Sequence, residues 1–245
     1  MNKYINRLKN YLLLLLIPIT LKPQNTFIEN KGQLPISVIS KTILPQGALF
    51  VEKGKFTYVF YNGDQLSEKH SLSRKKTIQA HSYTATFQNI NPNSNIKLEG
   101  ASLFFENYFL GEKRKWATNV KSYQRHIQEN IYQGVDMIFY THEKQLKFEL
   151  HVAPKIKTNQ IKIKYEGLNS IEVINNTILC KTSFSTTIEH NPIAFQIINN
   201  DTINVLCKYK LNKRQQIISF DFPEGYNPNY KLVIEAGANI LVSGT

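Results

Sequence analysis

Apolar and polar residues alternate along most of the chain with a period of two, which is typical of half-buried β-strands. The clearest runs are KFTYVFY (55–61), HSYTATF (81–87) and QIKIKYEG (160–167), each bounded by turn-forming residues. Similar runs continue toward the C-terminus at intervals close to the roughly 8–12 residues of sandwiches and barrels. The pattern therefore predicts an all-β protein with an antiparallel, β-sandwich-like architecture.

The stretch VDMIFYTHEKQLKFELHVAP (135–154) allows two interpretations, because it contains His142, Glu143 and His151. In a zinc-binding H-E-x-x-H helix the second histidine follows the first by four positions, and here that position is a leucine. Strand alternation instead places apolar side chains on one face and polar ones on the other. We therefore predict a β-hairpin that turns at THEK, with no metal site. The predicted core face is Leu146, Phe148, Leu150 and Val152, and the predicted polar face is Lys147, Glu149 and His151.

The sequence shows no catalytic constellation. It has no G-x-S-x-G elbow, no phosphate-binding glycine loop and no Cys-x-x-Cys pair. Asp136 interrupts an apolar strand beside Gly134, and we expect it to accept backbone hydrogen bonds rather than to bind a ligand. These observations predict a non-enzymatic protein without a cofactor.

Residues 1–24 have the pattern of a cleaved signal peptide. Three early basic residues precede an apolar run from Tyr11 to Ile19, which is shorter than the roughly 20 residues of a membrane span. A buried N-terminal helix is the alternative. We expect cleavage near Gln24 and a chain that does not span the membrane afterwards. The expected location is the cell surface or the extracellular space, or the periplasm if the protein is retained.

The net charge of the chain is +12. Basic runs occur at SRKK (73–76), EKRK (112–115) and NKR (212–214). Such runs can bind acidic polymers, but the heavy use of Lys, Asn and Ile throughout the sequence favours charged loops in solvent. Because an exported protein rarely meets cellular nucleic acid, we expect no specific nucleic-acid binding.

Two cysteines, Cys180 and Cys207, leave two alternatives open. An exported protein can keep a disulfide between them, worth roughly 3–4 kcal/mol in the chain-entropy model. They can also be two separate buried thiols. Alternation along residues 203–211 predicts one strand with Cys207 facing inward.

The 245 residues, 42% of them hydrophobic, suffice for one large β domain or two small ones. We place an aromatic-rich β domain at 25–168. Residues 169–222 are either a second small β subdomain or a continuation of the first. Residues 223–245 are interpreted as a linker and the start of a following region.

Several stretches, in this order, resemble the N-terminal domain of unknown function of large exported Bacteroidetes proteins. In that family the domain precedes β-propeller-type (SBBP) repeats, and many members end in a gliding-motility-associated or type IX secretion sorting domain. Two turns depart from the family pattern: Gln133 stands where proline is usual, and residues 155–157 replace a Gly-Ala-Asp. The matching stretches are FIENKGQ (27–33), NYFLG (107–111), Trp116, NVKSY (119–123), IYQGVDMIFY (131–140), LKFELHVAP (146–154), IKIKYEG (161–167) and NPIAFQ (191–196).

The resemblance and the missing catalytic motifs favour a domain used for adhesion, assembly or spacing, whose partners are other surface proteins or glycans. A carbohydrate-binding or polysaccharide-acting module is the alternative, with Trp116, Tyr108 and Tyr123 as ligand-facing aromatic residues. For exported proteins of this kind, Asp-Thr-Ile at 201–203 also makes Thr202 a candidate for O-glycosylation.

Overall fold

The computed structural model describes residues 26–44, 47–62, 77–142 and 145–241. These residues form an all-β fold in which every strand pairing is antiparallel, as predicted. Short 3₁₀ turns occur at Lys113–Lys115 and Thr158–Gln160. The strands are β1 (Phe27–Glu29), β2 (Ser40–Leu44), β3 (Gly47–Glu52), β4 (Lys55–Tyr61), β5 (Ala80–Phe87), β6 (Asn95–Tyr108), β7 (Ala117–Tyr132), β8 (Val135–His142), β9 (Gln145–Val152), β10 (Ile163–Glu166), β11 (Ser170–Ile174), β12 (Thr177–Lys181), β13 (Thr186–Glu189), β14 (Ile193–Ile198), β15 (Asp201–Val205), β16 (Lys208–Asn212), β17 (Ile217–Asp221) and β18 (Leu232–Leu241).

The strands are arranged as two layers. One layer follows the order β2–β3–β4–β5–β10–β17–β16. The other follows β6–β7–β8–β9–β18, and β18 then pairs with β13 along one part and with β14 along another. Strand β1 pairs with both β2 and β7 and so joins the layers. This is the sandwich-like architecture that the alternation predicts.

Aromatic side chains fill the space between the layers. Phe56 on β4 stacks on Phe139 on β8 with 4.9 Å between ring centroids, and Phe87 on β5 meets Phe148 on β9 edge-on at 6.3 Å. The same buried cluster continues to Ile218 on β17. Residues on both sides of position 169 therefore contribute to one continuous core.

The predicted hairpin at residues 135–152 is confirmed. Strands β8 and β9 pair from Val135 opposite Val152 to His142 opposite Gln145. Three of the four predicted core residues are buried, and Phe148 is half-buried against the core. Residues 143–144 and the side chain of His142 lie outside the described part of the chain.

The opposite face of this hairpin carries a network of charged and polar side chains. Glu149 accepts hydrogen bonds from Tyr140 Oη at 2.9 Å and from His151 Nε2 at 2.7 Å. The hydrogen bond from His151 is the main cause that lowers the pKa of Glu149. Lys231 Nζ lies 2.9 Å from His151 Nδ1. Among the described residues, no group of three or more His, Cys, Asp and Glu side chains is arranged to hold a metal ion.

The single strand predicted over residues 203–211 is wrong. Strand β15 ends at Val205 and pairs with β14, whereas β16 begins at Lys208 and pairs with β17 in the other layer. The chain therefore crosses between layers at Leu206–Cys207. Cys207 does face inward, as predicted, and is buried.

Residues 232–241, within the segment interpreted as a linker, form β18. The preceding loop packs on the sheet through Gln196. Its Nε2 donates to the carbonyl of Asn227 at 2.8 Å, and the Asn227 amide donates back to Gln196 Oε1 at 2.9 Å. This reciprocal pair fixes the approach of the chain to β18.

Candidate binding surface on the long hairpin

Strands β6 and β7 form a long hairpin of 14 and 16 residues, and most side chains of β6 are exposed. A bulge interrupts β6, because Ala101 lies opposite Tyr123 whereas Phe105 lies opposite Lys121. Two extra residues are therefore pushed out of the ladder. As a result the side chain of Leu103 is 96% exposed and that of Phe104 is 79% exposed.

A second irregularity, on β7, anchors the hairpin to the body. Asn119 has a positive φ of 55°, and its amide donates to Asn107 Oδ1 at 2.9 Å. The extra residue lets Ala117 and Val120 face the same side despite their odd spacing. Together with Ile28 and Tyr108 they form a small buried cluster beside the main core.

The loop that joins the two strands combines apolar and basic side chains. Phe109 and Trp116 meet edge-on with 5.3 Å between ring centroids, and Leu110 is 78% exposed. Between them lie three exposed basic residues at 113–115 and Glu112, which pairs with Arg114 at 2.5 Å. We call the exposed apolar side chains of this hairpin the hairpin patch; it consists of Leu103, Phe104, Phe105, Phe109, Leu110 and Trp116.

The three aromatic residues proposed from the sequence have different surroundings. Trp116 is 43% exposed, and its Nε1 donates to the carbonyl of Gly111 at 3.4 Å. Tyr108 packs into the small cluster, and burial together with the Glu106 carboxylate raises its pKa to about 12. Tyr123 is half-buried and donates to Glu29 Oε2 at 3.3 Å. The structure therefore presents Trp116 outward and holds both tyrosines against the body.

Of the six residues of the hairpin patch, sequence reasoning singled out only Trp116 and missed the other five. The stretch SLFFENYFLG reads as an aromatic-rich strand, and such strands are usually buried. The available signal was that four consecutive residues, LFFE, break the period of two. A break of this kind indicates a bulge or a strand that is exposed on both faces.

An open groove of about 860 Å³ lies beside the hairpin. Its walls include Leu34 and Ile36 from the loop after β1, and Arg114 and Lys115 from the hairpin. Asn30 organises that loop. Its Nδ2 donates to the carbonyls of residues 35 and 38 at 2.9 and 2.7 Å, and its Oδ1 accepts from the amide of residue 32 at 2.9 Å. The groove wall is thus a fixed part of the fold.

A buried carboxylate, Glu189, lies between the layers. It is 5% exposed and accepts hydrogen bonds from Tyr165 Oη at 2.8 and 3.0 Å. Burial raises the pKa of Glu189 to about 7, although the Tyr165 bond acts in the opposite direction. The adjoining cavity of about 10 Å³ has room for about one water molecule. Glu189 is therefore a structural acid in the core, without space for a substrate.

Ser40 and His126 resemble a nucleophile and its base, since Ser40 Oγ lies 2.8 Å from His126 Nδ1. Both side chains are fully buried. Burial lowers the pKa of His126 to about 4, so the ring is neutral near pH 7. Gln128 continues the network by donating to the carbonyl of Glu52 at 3.0 Å. No substrate can reach this pair, which serves the packing of β2 against β7.

The remaining candidate residues lie apart from the hairpin. Cys180 and Cys207 are both buried, and in the structure their thiols are not bonded to each other. Burial raises the pKa of Cys207 to about 12, so its thiol stays protonated. Thr202 is exposed on β15. Asp136 Oδ1 accepts from the Asn130 amide at 2.7 Å, which is the role we expected of it.

The three basic runs lie in different segments of the chain. Residues 73–76 and the predicted signal peptide lie outside the described residues. Residues 212–214 are exposed around the turn between β16 and β17, and residues 113–115 belong to the hairpin loop. Within the described ranges, no helix has the length and apolar character needed to cross a membrane.

Comparison with known proteins identifies the family but not an activity. No curated protein and no solved structure matches the chain. A model of one family, described as a domain of unknown function (DUF7948), matches residues 27–235, which include all but the end of the two-layer fold. The chain therefore belongs to the family of DUF7948 domains.

Proposed function

We propose that this chain is a non-catalytic binding domain of an exported cell-surface protein, and that it attaches to its target through the hairpin patch. One observation carries the proposal: six large apolar side chains are exposed together on a single hairpin. Exposing apolar surface to water is unfavourable, and concentrated exposed apolar surface marks interaction sites. The hairpin is well supported by its small buried cluster, so this exposure belongs to an ordered element.

Export and the wider context are part of the same proposal. The basic start and short apolar run of residues 1–24 support a cleaved signal peptide. The ordered motifs support membership in Bacteroidetes proteins in which this domain precedes SBBP repeats and a type IX secretion or gliding-motility sorting domain. In such a protein the hairpin patch would provide adhesion or assembly, and the rest of the domain would act as a spacer.

Attachment can be measured with the labelled full chain and host cells that lack its gene. The test variant is Leu103→Ser, Phe104→Ser and Leu110→Ser together. The control replaces Ile193, Ile197 and Ile203 with serine, because these side chains are also exposed but lie on β14 and β15. We expect the hairpin variant to lose most attachment and the control to keep it.

Two results would contradict this proposal. Equal attachment by both variants would remove the role of the hairpin patch. Intact, uncleaved chain in the cytoplasm of the native host would remove the proposed export.

A second candidate function, glycan binding, is favoured by the exposed Trp116 ring next to Phe109. Aromatic faces can stack on sugar rings, although the groove beside the hairpin is lined by aliphatic rather than aromatic side chains. A glycan array decides this point. Binding that is lost in Trp116→Ala would support the glycan function, and an array without binding would remove it.

A further inference from the structure

We propose that the partner of the hairpin patch is an anionic lipid bilayer, and that Phe109, Leu110 and Trp116 insert into its headgroup region. The inference rests on the proposed function and names the partner of the same surface.

The apolar side chains protrude instead of lining a flat or concave face. Leu103, Phe104 and Leu110 each keep more than three quarters of their surface exposed. A protein partner would need a complementary surface around each of them, since protein interfaces pack as densely as protein interiors. A fluid lipid phase surrounds a protruding side chain without such complementarity. The exposed side chains form two groups, one at the bulge of β6 and one in the loop that follows it, so the hairpin presents apolar groups at more than one point along its length.

Basic side chains lie among the apolar ones. Lys113, Arg114 and Lys115 fall between Phe109 and Trp116 in the loop, and Lys121 lies opposite Phe105 in the ladder. Aromatic residues and arginine are common in both protein and membrane interfaces, but lysine is depleted in protein–protein interfaces and typical of the membrane interface. Long basic side chains can place their charges at the headgroups while neighbouring apolar groups lie deeper. The loop from 109 to 116 contains three basic residues and one acidic residue, which complements an anionic surface.

The support of the loop is rigid. Tyr108 packs with Val120 and Ile28 at the base of the loop, and Lys41 Nζ lies 5.4 Å from the centroid of the Tyr108 ring. Lys31 Nζ donates to the carbonyl of Asn119 at 2.7 Å and ties the hairpin to the loop after β1. The inserting side chains are therefore already presented, and little ordering has to accompany binding.

Trp116 provides a local probe, because it is the only tryptophan of the 245 residues. The full chain is mixed with vesicles of phosphatidylcholine, with or without phosphatidylglycerol. With the anionic vesicles we expect the emission of Trp116 to shift to shorter wavelength and to be quenched by lipids brominated on the acyl chains. This readout reports the hairpin itself, whatever residues 11–19 do in the same chain.

Variants separate the charge contribution from the apolar one. Each basic side chain near an anionic surface contributes about a factor of five in binding, so Lys113→Gln, Arg114→Gln and Lys115→Gln together should weaken vesicle binding roughly a hundred-fold. The control, Lys210→Gln, Lys213→Gln and Arg214→Gln, makes the same change in net charge at exposed sites around the β16–β17 turn and should bind like the wild type. Leu110→Ser should reduce quenching without changing the thermal melt, because Leu110 is exposed.

Failure of this inference is distinguishable from failure of the proposed function. Unquenched Trp116, or equal binding to neutral and anionic vesicles, would overturn the lipid partner. If attachment to cells still depended on the hairpin patch in that case, the partner would be a protein or a glycan and the proposed function would stand. Equal loss of vesicle binding in both charge variants would overturn the role of the loop.

Discussion

Replacing Glu189 with glutamine should remove a loss of stability that accompanies a rise in pH from 4.5 to 7. The buried His126, whose pKa is lowered from 6.5 to about 4, contributes a gain of stability over much of the same range, and this gain should remain in the variant. Burial raises the pKa of this carboxyl from 4.5 to about 7, so the folded protein holds a proton that the unfolded chain releases. The contribution of this carboxyl to stability is fully present below pH 4.5, where it is protonated in both the folded and the unfolded state, and it is lost as the pH rises to 7. Above that pH both states are ionised, and the contribution stays constant.

The magnitude follows from the two pKa values. Each pKa unit corresponds to 1.36 kcal/mol, so the difference between 4.5 and about 7 gives a loss of about 3 kcal/mol across this range. That is a large share of the ~5–15 kcal/mol by which domains are usually stable. Glutamine resembles the protonated acid, and its oxygen can still accept the hydrogen bond from Tyr165. At pH 8 we therefore expect Glu189→Gln to be the more stable protein.

Urea unfolding followed by far-UV circular dichroism at pH 4.5, 6, 7 and 8 measures the effect. The control is Glu166→Gln on β10, which makes the same change in charge at an exposed carboxylate paired with Lys164 at 2.7 Å. A control curve parallel to the wild type, with a Glu189→Gln curve that gains about 3 kcal/mol on the wild type between pH 4.5 and 8, would support the reasoning. Wild-type and Glu189→Gln curves that stay parallel over the whole range would refute it.

Three further outcomes are expected. Phe139→Ala should lower the free energy of unfolding by roughly 3–5 kcal/mol in urea titrations, because Phe139 is buried and stacks on Phe56 between the layers. Phe148→Ala should lower it by less, because Phe148 is half-buried, and equal losses would contradict this packing. Asn30→Ala should lower the free energy of unfolding by about 2 kcal/mol, because the substitution leaves several backbone groups of the loop after β1 without hydrogen-bond partners. An unchanged thermal melt would show that water replaces the lost hydrogen bonds. Thiol titration with Ellman's reagent should find no reactive group in the folded protein and two in urea, since Cys180 and Cys207 are buried and free; none in urea would show a disulfide.

Alternation with a period of two predicted the elements whose two faces differ most. Strands β4 and β5 and the β8–β9 hairpin have one buried and one solvated face, so the sequence marks both their position and their inward side chains. The same rule failed for residues 203–211. There Val205, Cys207 and Tyr209 keep the period of two although the chain changes layers, and only the apolar Leu206 between them breaks it; no glycine or proline marks the crossing.

The candidate surface and the buried acid depend on information that alternation does not contain. The exposure of Leu103 and Phe104 results from a change of register between two strands, and register is set by the partner as well as by the strand itself. On β13 the polar side chains of Thr187 and Glu189 are buried, whereas the apolar side chain of Ile188 faces the other way and is only half-buried. The burial of Glu189 is explained by Tyr165 on the other layer, which donates a hydrogen bond to it, and this contact is not visible in the sequence of β13.

The position of β18 has a consequence for the order of folding. This strand contains residues 232–241, yet it pairs with β9, which ends some 80 positions earlier, and with β13 and β14. Until it arrives, β9 has an open edge, and the β13 and β14 segments lack the partner that holds them to the sheet. Such long sequence separations slow folding, because much loop-closure entropy is lost before these contacts form. We therefore expect the nascent chain to stay incompletely folded until β18 is available, and the sheet then to fold cooperatively.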